Sequence, residues 1–408
     1  MVYSDIDSLL CVSNPVYIFG AGNVGTGIAY SFLTRIVNPN HIEGFFDNKI
    51  PVGTCIIDGL RIIDRNKIKD KRSTIIVVAV SKEKQSEIVS QLKDEGFKKY
   101  YCISSDDVYR ICYQAIRDND DRLLELATLT LRNSPIELQI ETTSFCNAKC
   151  VFCPNRNLKR KKQLMSKEVF EKILIRAKEE SLSIESFILH LNGEPLSDPN
   201  IFNRVRRIKE EFPKSNVRFT SNFELANITV VQRLLESGLD EITCSVNRLA
   251  ETDYRNDMGL DFNKTIENVK LLLKMKEKTK NKIKVSLSFV ADDSGKRSEI
   301  EESPIIKELE QYGNFDIRIM IQGDWGGEVD GGKTVSDRNG ICPILYKTIN
   351  ILSNGSFALC CFDAEGIIGL NVMNTSIFDA WNSQIFNSIR EHHLLNGKTN
   401  SMCINCSF

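Results

Sequence analysis

Neither sign of charge dominates this chain, and it has no long apolar run. Its 53 Lys and Arg residues are balanced by 54 Asp and Glu residues, which leaves a net charge of −1. No basic excess points to nucleic acid, and no acidic block points to a charged tail, so neither class is predicted. The longest apolar runs, such as residues 75–80, are too short to cross a membrane.

The first residues also lack a basic segment followed by an apolar stretch, so no signal peptide is expected. Thirteen cysteines without a secretory signal are typical of metal ligands rather than disulfides. We therefore expect a cytoplasmic protein with oxygen-sensitive clusters. A length of 408 residues predicts two or three domains.

Three cysteines follow a strand-like run near the middle of the chain. Cys146, Cys150 and Cys153 have C-x3-C-x2-C spacing in the sequence E-T-T-S-F-C-N-A-K-C-V-F-C-P-N. Three thiolates on one short loop can hold three corners of a cubane iron–sulfur cluster and leave the fourth iron open. A structural zinc ion needs a fourth ligand nearby, but the nearest are Cys112 and His190, far away in the sequence.

This loop resembles the signature of the radical S-adenosylmethionine (radical SAM) enzymes, with Phe152 at the usual aromatic position before the last cysteine. The resemblance implies a [4Fe–4S] cluster whose open iron chelates the amino and carboxylate groups of SAM's methionine. It also implies that reductive cleavage of SAM gives a 5′-deoxyadenosyl radical, which abstracts a hydrogen atom from the substrate. A cysteine-rich loop without a metal is the alternative.

A glycine motif marks the N-terminal part of the chain. A short apolar run ends in F-G-A-G-N-V-G, which places Gly20, Gly22 and Gly25 in G-x-G-x-x-G spacing, and Asp47 ends a second strand-like run. In dinucleotide-binding units such glycines let the backbone approach a phosphate, and the acidic residue follows about 20 residues later. Residues 1–115 are therefore predicted to form a Rossmann-like parallel α/β domain.

The same segment is similar to the nucleotide-sugar-binding N-terminal domains of some sugar acyltransferases. The similarity lies in F-G-A-G-N-V-G, G-F-F-D-N and V-G-T-C-I-I-D-G-L-R-I-I. Three roles stay open: a nucleotide or nucleotide-sugar site, a docking surface that has lost its ligand, and a redox site for NAD. Residues 116–135 are predicted to form a helix that links the two halves of the chain.

Strand and helix patterns alternate regularly over residues 136–325. Six βα repeats predict a parallel sheet curved into a partial (β/α)6 barrel, the fold that radical SAM proteins share. Reactive groups in such barrels lie at the carboxyl ends of the strands, and period-two alternation places Glu141 and His190 on the inner face. Both are candidate catalytic residues, and the alternative for His190 is a hydrogen-bonded core histidine.

Three motifs at strand ends resemble SAM-binding elements of that family. L-N-G-E-P-L resembles the G-G-E-P element, so Asn192, Gly193 and Glu194 are predicted to lie near the methionine ammonium. T-S-N resembles the element that approaches the ribose, through Asn222. S-V-N-R resembles the S-x-D-G element, with Ser245 near the carboxylate or ribose.

Two departures from the family pattern leave the SAM carboxylate without an assigned counter-charge. Asn247 replaces the usual aspartate, and Met258 stands where an arginine often lies. Arg255 is a candidate substitute.

Residues 326–408 contain a second group of cysteines, after a glycine-rich connector at 323–332. An Asn-Gly turn predicts a hairpin that brings two of them together, and the last two form a C-x2-C pair. The pattern resembles the twitch domain, the shortened form of the SPASM domain, which implies one auxiliary [4Fe–4S] cluster. The four predicted ligands are Cys342, Cys360, Cys403 and Cys406. Structural zinc is the alternative, and Cys361 is expected to be a spare thiol.

Together these resemblances imply a radical SAM enzyme whose auxiliary cluster exchanges an electron with the substrate. The N-terminal domain favours a nucleotide-activated sugar or another small metabolite. A maturase of ribosomally made (RiPP) peptides is the alternative, and a non-catalytic iron–sulfur electron carrier is the alternative from another class. The reaction is expected to be oxidoreductase-like or an epimerisation, with an external one-electron donor such as flavodoxin or ferredoxin.

Overall fold

The computed structural model describes residues 14–118 except 23 and 81, then 130–291, 297–321, 341–395, 401–404 and 406, and a few isolated positions. The glycine-rich connector at 323–332 lies outside the described residues, and the predicted linker helix at 116–135 lies partly outside them. The chain divides into two compact units, residues 1–132 and 133–408. None of the described helices is both long enough and apolar enough to span a membrane.

The first unit contains a four-stranded parallel sheet and a short ribbon. Its strands are β1 (Val16–Phe19), β2 (Ile42–Phe46), β3 (Cys55–Ile57), β4 (Leu60–Arg61), β5 (Ile75–Val78) and β6 (Lys99–Cys102). Its helices are α1 (Tyr30–Ile36), α2 (Lys82–Asp94) and α3 (Ser105–Arg117). The sheet order is β2-β1-β5-β6, and β3 pairs with β4 in antiparallel fashion.

Helices cover both faces of this sheet, which explains why its strands are almost wholly apolar. Val16 and Ile18 of β1 point into a core that contains Phe32 of α1 and Ile111 of α3. Residues on the opposite face pack in a second core with Leu92 of α2. The first unit is therefore a doubly wound parallel α/β domain.

The second unit contains one eight-stranded sheet. Its strands are β7 (Glu137–Ile140), β8 (Ser186–Ile188), β9 (Asn216–Ser221), β10 (Glu241–Asn247), β11 (Lys284–Ala291), β12 (Asp316–Ile321), β13 (Thr348–Ile351) and β14 (Phe357–Ala358). The order is β12-β11-β10-β9-β8-β7-β13-β14, parallel from β12 to β13, with β14 antiparallel. The sheet is open at β12 and β14, so the partial barrel predicted from six βα repeats is confirmed.

Ten helices of the described residues surround this sheet or follow it. They are α4 (Lys167–Glu179), α5 (Ile201–Glu211), α6 (Ile228–Leu235), α7 (Glu251–Met258), α8 (Phe262–Thr279), α9 (Arg297–Glu301), α10 (Pro304–Glu310), α11 (Ile377–Trp381), α12 (Gln384–Leu395) and α13 (Ser401–Ile404). Side-chain caps fix several of the boundaries, as where Ser166 accepts a hydrogen bond from the Val169 amide at the start of α4.

The C-terminal segment joins the barrel sheet directly, because β13 pairs with β7. Thr348 lies opposite Glu137 in that pairing, and its hydroxyl donates to the Glu137 carboxylate at 2.6 Å. The loop that follows β7 therefore lies beside the segment that carries the C-terminal cysteines.

Candidate functional site

The loop after β7 carries three closely grouped, half-buried thiols. Burial raises the pKa of Cys146 to about 12, and burial likewise raises the pKa of Cys150 and of Cys153. The proximity of Cys153 adds to the rise at the other two thiols. Thiols of this kind become thiolates when a cation replaces their protons, so the donor set fits a cluster with several irons.

Main-chain hydrogen bonds fix the path of this loop. The Lys149 and Val151 amides donate to the Met258 and Asp257 oxygens at 2.9 and 2.8 Å, which ties the loop to the end of α7. Amides also point at the sulfurs, because Ala148 donates to the Cys146 thiol. Such N–H···S bonds are typical of cluster-binding loops, where they stabilise the negative charge.

The turn that follows β8 packs against the same loop. The Glu194 amide donates to the Phe145 oxygen at 2.9 Å. A Cβ atom on Gly193 would lie 1.9 Å from the Thr143 oxygen, so only glycine lets the two segments come this close. The structure thus brings the predicted G-E-P element and the cysteine loop together.

The Glu194 carboxylate is buried but well supplied with donors. Its Oε1 accepts from the Ser221 hydroxyl at 2.6 Å and the Leu196 amide at 2.9 Å, and its Oε2 accepts from the Asn222 amide at 2.8 Å. Burial raises the pKa of this carboxyl, although these hydrogen bonds oppose the rise. A carboxylate has about four acceptor positions, so room for one further donor remains.

Asn222 holds the end of β9 to the cysteine loop. Its Nδ2 donates to Asn147 Oδ1 at 2.8 Å, and Asn147 in turn donates to the Glu224 carboxylate at 2.8 Å. Because Asn147 lies between two of the cysteines, the T-S-N element is also a neighbour of the cluster loop. The sequence motif located Asn222 but gave no hint of this pairing.

Asn192 is buried with an unused donor. Only 5% of this residue is exposed, and its side-chain nitrogen has no hydrogen-bond partner in the part of the chain that the structure describes. Its main-chain oxygen accepts a hydrogen bond from the side-chain nitrogen Nδ2 of Asn155, which also donates to the Ser144 main-chain oxygen at 2.9 Å. Asn155 was not predicted as a site residue, although it directly follows the C-x2-C-P sequence.

The end of β10 supplies an arginine that the sequence did not single out. Arg248 lies 5.4 Å above the ring of Phe152 and forms an ion pair with Asp257 at 2.6 Å. Arg255, the candidate substitute, instead forms an exposed pair with Glu251. Of the two arginines, Arg248 is thus the one that contacts the cysteine loop.

The other positions around β10 show weaker contacts. The Ser245 hydroxyl accepts from Ser288 at 3.4 Å. Asn247 lies in the left-handed region, with φ 61°, and its side-chain nitrogen Nδ2 donates to the Met258 sulfur at 3.5 Å. The two departures from the family pattern are therefore in contact with each other.

His190 has its ring held by the neighbouring strand. Its Nδ1 accepts from the Thr220 amide at 3.1 Å, which puts the ring proton on Nε2, and its main-chain oxygen accepts from Gln139 at 2.9 Å. Burial, together with the charge of Arg218, lowers the His190 pKa to about 4. A neutral ring at pH 7 can donate a hydrogen bond but is a poor general base.

Glu141 forms a buried ion pair. Its Oε1 lies 2.5 Å from the Arg160 guanidinium, and its Oε2 accepts from the Ser353 amide at 2.9 Å. Arg160 also donates to the Ala364 oxygen at 2.5 Å. These contacts connect β7 to the C-terminal segment, and they favour a structural role for Glu141 over the predicted catalytic one.

The four C-terminal cysteines predicted as ligands line one cavity, which also contains His393 and Met402. Cys361, expected to be a spare, also lies in this group. Burial first, and then the nearby Cys342 and Cys406 thiols, raise the pKa of Cys361 to about 12. Among the described residues, no three or more Cys, His, Asp or Glu side chains are placed so that they could hold one metal ion together. In a cubane each thiolate binds a different iron, and a set of neighbouring thiols fits that donor requirement.

The glycine motif of the first unit lies at the end of β1. Gly20 has φ 109°, and a Cβ there would lie 2.6 Å from the Ala79 oxygen at the end of β5. A Cβ on Gly25 would lie 1.7 Å from the Gly20 oxygen, whereas one on Gly22 would meet nothing within 4 Å. The first and third glycines thus allow close packing, and the second faces open space.

Asp47 closes this loop rather than standing free. Its Oδ2 accepts from the Ala21 amide at 3.1 Å, and its Oδ1 accepts from the Lys49 and Ile50 amides at 2.8 and 3.2 Å. Burial tends to raise its pKa, but these bonds outweigh it and leave the pKa lowered. Most of the carboxylate is therefore used to hold the glycine loop against β2.

Family comparisons agree with the geometry of the cysteine loop. The profile of the Radical SAM superfamily matches residues 140–285, and that of the SPASM iron–sulfur cluster-binding domain matches residues 342–407. The chain carries a radical SAM domain and a SPASM domain. The radical SAM domain implies SAM and a [4Fe–4S] cluster, and the SPASM domain implies auxiliary iron–sulfur clusters.

Solved structures are similar to this chain at low sequence identity. Streptococcus suis SuiB bound to precursor peptide SuiA is 18% identical over 79% of this chain and 81% of its own, with a TM-score of 0.53. BtrN in complex with AdoMet and 2-DOIA is 17% identical over 67% of this chain and 93% of its own (TM-score 0.46). The anSMEcpe protein with bound AdoMet is 14% identical over 67% and 89% (TM-score 0.47). No curated protein sequence matches the chain.

Proposed function

We propose that this radical SAM enzyme acts on a nucleotide-activated sugar or a related small metabolite. The radical SAM part of this function is carried by one observation, the packing of the cysteine loop against the G-E-P turn through Gly193 and the Phe145–Glu194 hydrogen bond. When bound, the cluster and SAM supply a 5′-deoxyadenosyl radical that abstracts a hydrogen atom from the substrate. The residues described here bind, orient and shield these groups.

Cys146, Cys150 and Cys153 are proposed to ligate the SAM-binding cluster. The Glu194 carboxylate belongs to this turn and has one acceptor position left, so we assign it to the methionine ammonium. The side-chain nitrogen of Asn192 is a buried donor without a described partner, which suits the methionine carboxylate.

Further contacts extend this proposed site along the strand ends. Phe152, under the Arg248 guanidinium, forms one wall. Asn222 and Ser245 lie at the carboxyl ends of β9 and β10, where the ribose is expected. His190, neutral and with its proton on Nε2, acts in this proposal as a hydrogen-bond donor in the barrel rather than as a base.

The auxiliary cluster is proposed to be a single [4Fe–4S] centre held by the thiols of Cys342, Cys360, Cys403 and Cys406. Four protein ligands leave no open iron, so its role is electron transfer to or from the substrate. In an oxidation, this centre would take one electron from the substrate radical while a proton leaves, and an external carrier would then reoxidise the centre. In an epimerisation, it would supply one electron to the substrate radical, together with a proton from solvent.

The preference for an activated sugar depends on the first unit. Chain order in its sheet reverses between β1 and β5, and ligands of doubly wound sheets bind in the crevice at such a point. The glycine loop lies there, with open space at Gly22 where a phosphate can approach. Maturation of a RiPP peptide is the second candidate, and a non-catalytic electron carrier is the third.

A SAM-cleavage assay tests the enzyme assignment. Anaerobically reconstituted protein, reduced with dithionite, is expected to form 5′-deoxyadenosine, and Cys146→Ala is expected to form none. Iron analysis should give about eight iron per chain for two [4Fe–4S] clusters. Cleavage equal to that of the Cys146→Ala control would leave the electron-carrier function instead.

Calorimetry with nucleotide sugars tests the substrate class on the full chain. Gly22→Val adds a side chain that meets no protein atom near its Cβ, so the fold is retained while phosphate approach is blocked. We expect heat with at least one nucleotide sugar and its loss in Gly22→Val. Deuterium transfer from that sugar into 5′-deoxyadenosine would then connect binding with turnover. Equal heat of binding in the parent and in Gly22→Val would show that the glycine loop is not part of the substrate site.

A further inference from the structure

The cavity at the C-terminal cysteines contains one histidine that the cluster assignment does not use. His393 lies on α12 and is 2% exposed, whereas its neighbour in the chain, His392, is exposed. The side chain of His393 lines the same cavity as the four thiols. It is therefore enclosed at the place where the auxiliary cluster is proposed to bind.

The chemistry of the cavity wall sets His393 apart. The other described lining residues are the four cysteines, the thioether Met402 and the apolar residues Leu345, Leu359 and Phe362. Among these side chains, His393 is the one with an N–H donor. A neutral imidazole always carries one N–H, and this ring cannot direct it to bulk water.

Hydrogen bonds hold α12 in a fixed position beside the first of the four thiols. The Tyr346 hydroxyl donates to the Arg390 oxygen at 2.9 Å, and Arg390 Nε donates to the Leu345 oxygen at 2.8 Å. Both partners follow Cys342 within a few residues and lie in one 3-10 turn. Since His393 is one helical turn after Arg390, its distance from that thiol is set by the same contacts.

We propose that His393 donates a hydrogen bond to a sulfur of the auxiliary cluster, either an inorganic sulfide or a ligand thiolate. The inference rests on the proposed cluster at Cys342, Cys360, Cys403 and Cys406. An electron added to a cluster increases the negative charge on its sulfurs, so an N–H dipole aimed at them favours the reduced state. His393 thereby raises the reduction potential and makes the centre a better electron acceptor.

The test uses a full-length parent in which Cys146, Cys150 and Cys153 are each replaced by alanine, so that the auxiliary centre is the one measured. Midpoint potentials are determined by redox titration followed by electron paramagnetic resonance, with iron and sulfide analysed in each sample. His393→Leu is expected to lower the midpoint potential. His393→Gln keeps an N–H donor and is expected to recover part of the shift. His392→Gln is the matched control and should leave the potential unchanged.

Each outcome bears on a different claim. A parent that binds no iron and sulfide overturns the proposed cluster itself. Equal iron in all variants, with the same potential in His393→Leu as in the parent, overturns the role of His393 and leaves the cluster assignment in place. Loss of iron in a folded His393→Leu variant would show that His393 binds iron directly. That result would also overturn its role as a hydrogen-bond donor. About four iron per chain with a lowered potential supports the inference.

Discussion

The side-chain amide of Asn155 donates a hydrogen bond to the main-chain oxygen of Asn192, which fastens the end of the cysteine loop to the turn after β8. The same amide reaches the Ser144 oxygen at 2.9 Å, and Asn155 Oδ1 accepts from Lys162 at 2.8 Å. One buried side chain therefore joins three segments around the proposed SAM site. It sets the position of Asn192 before any ligand binds.

Asn155→Ala is expected to destabilise the protein and to weaken SAM binding. The substitution leaves two buried carbonyl oxygens without their donor, at a cost of about 1–3 kcal/mol for such a group. Urea unfolding followed by circular dichroism and calorimetry with SAM measure the two effects. Asn157→Ala, two residues later and exposed, is the matched control. Equal behaviour of the two variants would show that the Asn155 bonds contribute nothing.

Glu141→Gln is expected to cost about 3–5 kcal/mol of the free energy of unfolding, because it leaves the buried Arg160 guanidinium without its counter-charge. The double variant Glu141→Gln/Arg160→Met should recover part of this loss in a double-mutant cycle. Glu251→Gln breaks the exposed pair with Arg255 and serves as the control, with a change below about 1 kcal/mol.

The same cycle separates the structural role of Glu141 from the predicted catalytic one. If its role is structural, formation of 5′-deoxyadenosine returns together with stability in the double variant. A stable double variant that still forms no 5′-deoxyadenosine would restore the catalytic assignment.

His190 is expected to make the protein less stable on acidification. Its pKa is about 4 in the folded chain and near 6.5 in an unfolded one, so the unfolded state binds the extra proton between these values. Its contribution is therefore fully present above pH 6.5, is lost as the pH falls towards 4, and changes no further below that.

His190→Asn is the variant that tests this pH dependence. An Asn side chain places Oδ1 where Nδ1 accepts from the Thr220 amide, but it does not titrate. Urea midpoints measured from pH 4 to 7.5 should fall less steeply for the variant than for the parent. Parallel curves would mean that the pKa of His190 is the same in the folded and the unfolded chain.

Much of this architecture follows from patterns that act locally. Strand alternation, glycine turns and cysteine spacing are encoded within a few residues, which is why the open barrel and both cysteine groups could be predicted. The ion pair of Glu141 with Arg160 could not be predicted. Its structural role depends on the pairing of β13 with β7, which the sequence pattern does not reveal. The hydrogen bond between Asp47 and the glycine loop could not be predicted either. The dinucleotide-binding motif identifies Asp47 but does not show which groups bond to it.

Cys361 shows a similar limit of sequence patterns. Alternation along a hairpin predicts that Cys360 and Cys361 point to opposite faces. The structure has a turn rather than a strand at this point, since β14 ends at Ala358, and the Asp363 carboxylate accepts from the Leu359, Gly366 and Ile367 amides. That turn lets both neighbouring thiols approach the same group.

Asn192→Asp tests how SAM lies in the site. Asp has nearly the shape of Asn but replaces the donor nitrogen with a carboxylate oxygen. If this nitrogen faces the methionine carboxylate, the substitution sets two negative charges against each other. We then expect the Kd for SAM to rise by tenfold or more, equivalent to about 1.4 kcal/mol or above. Asn192→Gly, the family's usual residue, removes the donor without adding charge and should have a smaller effect.

The opposite result carries equal information. If Asn192 faces the ammonium group, Asn192→Asp gains an ion pair, and calorimetry with the reconstituted protein will show tighter binding. Asn227→Asp is the control, because Asn227 caps α6 through Oδ1 and an aspartate caps a helix equally well. Met258 stands where the family often has an arginine. Tighter binding would therefore make Arg248, which lies against Phe152 of the cysteine loop, the candidate partner of the carboxylate.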